Sequence, residues 1–356
     1  MTTSTPYHRL ARESPDFAHW RLPVAAVAGT GVYAALTVVL VIVTALVVVG
    51  SGASFDAWLD SMSDDISTDD PGALLFQLVS IVLMLPCVLL SVAVVWRRHV
   101  GYLHSVAGHL RWGWLGRCTV LAFAVVGTAL GLSIVLAAAS GESLGFDAPG
   151  GRALLVLLVV LLVVPFQAAA EEYVFRGALL QLIGSWTRFA AVPVIATSLL
   201  FAAGHLYNFW GLVSVFLFGV VAALITIRTG GLEAAVALHV ANNMVLLTLD
   251  VLGLIDSSGE GAGMWNEVVP STVMCLVFWG LVELSARRRG LQRRRPPLPA
   301  PAPAYVVVPP PPYVPGPADH APAPAAPVQP AAPVPPQALV PPNAPSYPGD
   351  PGVWGR

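Results

Sequence analysis

Two adjacent glutamates, Glu171 and Glu172, follow an almost unbroken apolar run from Ala153 to Ala170, and Arg176 comes four residues after the second. Carboxylates joined to a lipid-compatible helix are costly to embed, so they line an interior, pair with one another or carry function. Downstream, His205 ends the apolar segment FAAGH, and His239 and Asn243 lie inside HVANN. A carboxylate and a histidine converging on one water form a general-base device. A second histidine beside an amide can hold the oxyanion of a tetrahedral intermediate. Two histidines and a glutamate are also a sufficient ligand set for a divalent metal such as zinc, with Glu171, His205 and His239 as the candidates. The local HExxH spacing of a zinc helix is absent. Each group also has a plainer role: Glu172 with Arg176 as a structural ion pair, a single histidine as a bridge between helices.

Spacing divides these residues. On a helix, positions four apart share a face. Glu172 therefore pairs with Arg176, Phe201 stacks beside His205, and His239 sits next to Asn243. Glu171, about 100° further round, is left to point elsewhere. Depth decides whether they can meet. A helix ending at Ala170 would strand Glu171 and His205 on opposite membrane surfaces. If it runs on to about Trp186, Glu171 lies roughly 22 Å above that end, His205 about 24 Å up its own helix, and His239 and Asn243 near 15 and 21 Å. This longer helix, kinked at Pro165, gives the buried polar groups one another as partners.

The remainder of the chain must supply a membrane scaffold. Its 356 residues are 56% hydrophobic and 11% charged, with mean hydropathy +0.73, well below the charge content of a soluble domain. All 18 basic residues are arginine, and a net charge of −2 gives no footprint for nucleic acid. The expected fold is an all-α polytopic membrane bundle of about eight helices, over 23–49, 72–96, 117–139, 152–184, 189–206, 209–228, 231–251 and 268–286. Arginines at 9, 12, 21, 97, 98, 111, 117, 188, 228 and 287–295 fall on one side. Asp56, Asp60, Asp64, Asp65, Asp69, Asp70, Glu142, Asp147, Asp256, Glu260 and Glu267 fall on the other. The positive-inside rule then puts both termini in the cytoplasm of a multi-pass plasma-membrane protein. Three units follow: an N-terminal cytoplasmic segment 1–22, a membrane domain 23–289, and a tail 290–356. The last 61 residues hold 23 of the 32 prolines, so the tail is expected to be disordered and polyproline-like. Its partner is unknown, although Pro310-Pro311-Pro312-Tyr313 has the look of a proline-module ligand. Segment 101–117 reads as an interfacial amphipathic stretch, and Cys87, Cys118 and Cys275 as buried free thiols.

EEYVFR, FAAGH and HVANN together resemble the three motifs of the CPBP family of intramembrane proteases, related to the CaaX prenyl endopeptidase and also called Abi proteins. The likeness covers about residues 150–250. It implies that Glu171 is the general base acting with His205 on water, that His239 and Asn243 hold the oxyanion, and that Glu172 and Arg176 support them. It implies an endopeptidase cutting a membrane-associated peptide or protein, in some descriptions metal-dependent. The arginine-only, alanine–valine-rich composition suggests a bacterial chain, whose relatives are associated with bacteriocin immunity and peptide maturation. The competing readings are a non-catalytic scaffold or immunity protein, and a proton-coupled transporter, against which stands the lack of an internal repeat.

Overall fold

The apolar run that ends at Ala170 does not end its helix at the glutamates. In the computed structural model, which describes residues 4–13, 17–61, 68, 70–141, 145–146, 148–256 and 261–296, one helix continues from Gly151 to Trp186 with Pro165 inside it. Among the described residues, seven helices are long and apolar enough to cross a membrane: α1 (Arg21–Gly50), α2 (Pro71–Trp96), α3 (Trp112–Ala139), α4 (Gly151–Trp186), α6 (Phe209–Thr229), α7 (Glu233–Val251) and α8 (Met264–Arg288). The fifth expected span, 189–206, is shorter. Its helix, α5, covers only Ala191–Ala202. It ends in tight turns, with Gly204 N–H bonded to Phe201 O and His205 N–H to Ala202 O, before Asn208 caps α6 by accepting from Gly211 N–H at 2.9 Å. A glycine and a helix-capping asparagine inside an apolar run thus halve the helix. The architecture is a polytopic helical membrane bundle.

Its outer surface is apolar. Val27, Leu46 and Val94 are 74%, 68% and 84% exposed, as helices facing lipid rather than water require. The inner faces follow helical spacing. Trp114, Cys118, Ala122 and Val126 on α3 meet Ala234, Ala237, Leu238 and Ala241 on α7, where small residues let the backbones approach. On α4, Val156, Val160 and Val164 pack on Leu74 and Leu78 of α2. The first span, α1, has its buried residues, Leu22, Ala25 and Gly29, near its start; a side chain at Gly29 would stand 2.9 Å from Ser91 Oγ. The three cysteines are buried and free.

Both ends of this bundle are tied together. Thr5 and Pro6 pair antiparallel with Arg295 and Arg294, so residues just before α1 and just after α8 share one face. Between them the turn at Tyr7–Glu13 is buried through Tyr7, Leu10 and Ala11, and its Arg12 Nε donates to Ser185 O at the foot of α4. The segment expected to lie at the interface is woven in as well. Leu103 and Val106 are fully buried, Val106 N–H donates to Gly230 O, and Leu232 N–H donates to His104 O; His109 stays exposed. Tyr7 OH also bonds Leu103 O, and Gln181 Nε2 donates to Tyr102 O. The stretch Leu103–Val106 does not lie on a surface, because its backbone completes the turn between α6 and α7, whereas His109 and Trp112 are exposed. Asp64, Asp65, Asp69, Glu142, Asp147, Glu260 and the proline-rich tail lie outside the described residues.

Arg111 closes this end. Its Nε and Nη2 grip the Glu233 carboxylate at 2.8 and 2.7 Å, and Nη1 donates to Thr229 O and Gln292 O. Glu233 has no exposed side-chain surface. Arg111→Ala therefore leaves a buried charge unpaired and is expected to cost about 3–5 kcal/mol, seen as a lower unfolding midpoint in nanodiscs.

Two histidines at the same end add a pH dependence. Burial, reinforced by Arg9 and Arg294, pushes His8 from its ordinary 6.5 down to about 4. Burial likewise pushes His99 to about 4, with Gln181 opposing. In between, the unfolded chain binds protons that the folded chain refuses, so stability is full above the ordinary value and falls as pH drops from about 6.5 toward 4. Unfolding midpoints at a series of pH values should trace this loss, and His99→Phe, which keeps the stack on Trp96, should flatten it.

Candidate active site

The acid pair sits where α4 changes its winding. From Tyr173 to Leu179 the helix is a π-helix, and Leu180 N–H reaches back to Phe175 O, one residue further than in an α-helix. Such wide turns recur at functional positions because they re-aim side chains. Here both glutamates face α7.

The centre of the cluster is His239, 3% exposed. Its Nδ1 lies 2.9 Å from Glu172 Oε1, and its Nε2 lies 3.3 Å from Glu171 Oε2. The same Glu172 oxygen accepts from Arg176 Nη1 at 2.8 Å, and both side chains of that ion pair are fully buried. An ionised Glu172 only accepts, so Nδ1 of His239 carries a proton. Nε2 is in ion-pair contact with Glu171 Oε2 at 3.3 Å rather than hydrogen-bonded to it.

Arg176 is held on its other side by aromatic carbon. Its guanidinium lies 4.1 Å from the centroid of Phe201, a cation–π contact in a dry environment. Phe201 also packs edge-on against His205 at 4.9 Å and His239 at 5.8 Å. The room for the guanidinium comes from α6, where a side-chain carbon on Gly219 would stand 3.1 Å from Arg176 Nη2.

The pairings differ in part from those that spacing suggests. Glu172 with Arg176 is as expected. His205 lies beyond the end of α5, and its Nδ1–H caps Phe201 O at 2.9 Å, leaving Nε2 as the basic nitrogen of a half-buried ring. It is within Coulombic range of Glu171, yet the imidazole in direct contact with Glu171 is His239. Asn243 does not pair with His239 among the described residues; its Nδ2 donates to Gln167 Oε1 at 3.2 Å, since a neighbouring amide offers an acceptor while the imidazole is committed to two carboxylates. Gln167 in turn donates from Nε2 to Glu171 Oε2 at 3.0 Å. Spacing reasoning passed over Gln167, although a polar residue four before Glu171 in an apolar run was a visible signal. His104, treated as interfacial, hydrogen-bonds Tyr173 OH, next to the acid pair.

The metal candidates do not assemble. No cluster of three His, Cys, Asp or Glu with metal-binding geometry occurs among the described residues. His239 has a carboxylate at each ring nitrogen, and His205 stands apart from the Glu171–His239 contact.

The buried ion pair yields a sharp test. Arg176→Met leaves Glu172 charged without its cation and should destabilise by about 3–5 kcal/mol. Adding Glu172→Gln, which keeps an acceptor for His239 Nδ1–H, should recover most of that loss. Thermal unfolding of the single and double variants measures the difference.

Residues 152–245, which contain every motif residue of the cluster, match the family described as type II CAAX prenyl endopeptidase Rce1-like. An uncharacterized protein of Bacillus subtilis (strain 168), YyaK, is 33% identical over 145 residues, an alignment covering 36% of this chain and 48% of that protein. The chain therefore spans about half the length of the curated relative it matches. No solved structure matches.

Proposed function

Starting from a chain whose residues 152–245 carry the domain of the Rce1-like family of type II CAAX prenyl endopeptidases, we propose that it is an intramembrane endopeptidase. It hydrolyses a peptide bond of a membrane-associated peptide or protein. The observation that carries the reading is the convergence on His239 of Glu171 and Glu172 from α4 and Phe201 from α5, with the two carboxylates 3.3 and 2.9 Å from its two ring nitrogens.

In the proposed reaction a water lies between Glu171 and the free Nε2 of His205. Glu171, supported by His205, takes one proton from this water, and the resulting hydroxide attacks the scissile carbonyl carbon. The negative charge that develops on the carbonyl oxygen is met by an N–H of Asn243 and by Nε2–H of His239. At the ion-pair distance between them, an imidazolium at His239 holds Glu171 in its ionised, basic form. When the tetrahedral intermediate collapses, the C–N bond breaks and Glu171 returns the proton taken from water to the leaving amine. Glu172 and Arg176 hold the imidazole by its other nitrogen. No metal is required by these groups.

The wider assignment follows the arginine pattern. Both termini are proposed to be cytoplasmic in a plasma membrane, with segment 1–22 leading into the membrane domain 23–289 and the tail 290–356 trailing from it. The pairing of Thr5 with Arg295 supports a common side for the two ends.

The test uses purified full-length protein in nanodiscs with a membrane-anchored peptide library. Glu171→Gln and His205→Ala should each lower cleavage by about 10²–10⁴-fold while leaving insertion and unfolding midpoint near the wild type. Cleavage persisting in both variants overturns the residue assignment. A wild type that cuts nothing across the library favours a non-catalytic scaffold.

A further inference from the structure

We infer that Gln167 is a positioning residue which sets the direction of the amide at Asn243, an inference that rests on the protease reading above for its catalytic meaning. Gln167 is 2% exposed and sits on α4 one turn before Glu171. An uncharged amide in an apolar bundle is costly to bury unless both its ends are bonded. Here both are: Nε2 donates to Glu171 Oε2 at 3.0 Å and Oε1 accepts from Asn243 Nδ2 at 3.2 Å. A further amide follows, as Asn242 Nδ2 donates to Asn243 Oδ1 at 3.2 Å.

The orientation of an amide is decided by its network, and this network has one fixed end. As an ionised base, Glu171 offers Gln167 only the lone pairs of its Oε2, which accepts from Gln167 Nε2 at 3.0 Å. Gln167 must therefore turn its nitrogen to Glu171 and its oxygen to α7. Asn243 must answer with its nitrogen, which leaves its oxygen to Asn242. Flipping any one amide sets oxygen against oxygen or nitrogen against nitrogen. Asn243 has two N–H bonds, and only one is used by Gln167. The other is held in the site as a donor. The side chain that makes Asn243 a donor rather than an acceptor toward a developing oxyanion is thus Gln167, which itself touches no reacting atom.

The alternative is that Gln167 merely packs α4 against α7. Two measurements separate these roles, both on full-length protein in nanodiscs. The first is the side-chain amide resonance of Asn243 in protein carrying nitrogen-15 asparagine, assigned by its loss in Asn243→Asp. Gln167→Leu should move one of the two amide protons upfield, because its acceptor has gone. The second is cleavage kinetics. Gln167→Leu should lower kcat by about 10–100-fold with KM within twofold, as expected when a catalytic group loses its alignment. In an Asn243→Ala background the same substitution should cost less than threefold, because the group it orients is absent. An unmoved resonance overturns the inference whatever the kinetics, and so do fully additive losses in the double variant. A moved resonance in a protein that cleaves nothing upholds the amide chain and removes the protease reading instead.

Discussion

Burying charge inside an apolar bundle is the constraint around which this molecule is arranged. Glu172 and Arg176 have no exposed side-chain surface, and neither would be tolerated there alone. Each recruits further groups. Glu172 draws in His239, and Arg176 lies on Phe201, which needs a glycine opposite on α6 to leave room. Through these contacts α4, α5, α6 and α7 acquire one common point, and their relative depth follows from it.

A second charged contact does the same at the arginine-rich end. Arg111 and Glu233 join the α2–α3 connection, the α6–α7 turn and the segment after α8. Glu233 begins the helix on which His239 lies one and a half turns later. The clamp therefore fixes the start of α7 while the acid pair fixes its middle. His104 and Tyr173 form a lateral link between the two, from the woven connection directly to the residue after Glu172.

Much of this could be read from residue order. Apolar run length gave the long helices, and the demand that buried polar groups find partners carried α4 past its glutamates to Trp186. Four-residue spacing gave Glu172 with Arg176. It misled wherever the backbone was not helical or a better partner came from another segment. His205 lies outside α5, yet its ring still packs on Phe201 at 4.9 Å while its Nδ1–H caps the Phe201 carbonyl, a backbone role that spacing does not reveal. Asn243 shares a face with His239 yet bonds Gln167, because a neighbouring helix supplied an acceptor that periodicity cannot reveal. Segment 101–117 looked amphipathic by composition, but its backbone bonds to Gly230 and Leu232 depend on a turn more than a hundred residues away.

The π-helix of α4 also acts as a phase adjuster. A π-turn holds one residue more than the α-turn it replaces, and one residue corresponds to about 100° of rotation. Above Tyr173 the helix turns its glutamates toward α7, while below Leu179 it turns Gln181 and Gly184 toward Tyr102 and His8. Without the extra residue the backbone ladder would close regularly, but one of these faces would be swung a quarter-turn out of register. Length alone could have been restored by lengthening the helix at either end. Angular offset could not, so the segment EEYVFR carries in its winding the correction that allows one helix to serve the reactive cluster and the sealed end of the bundle at once.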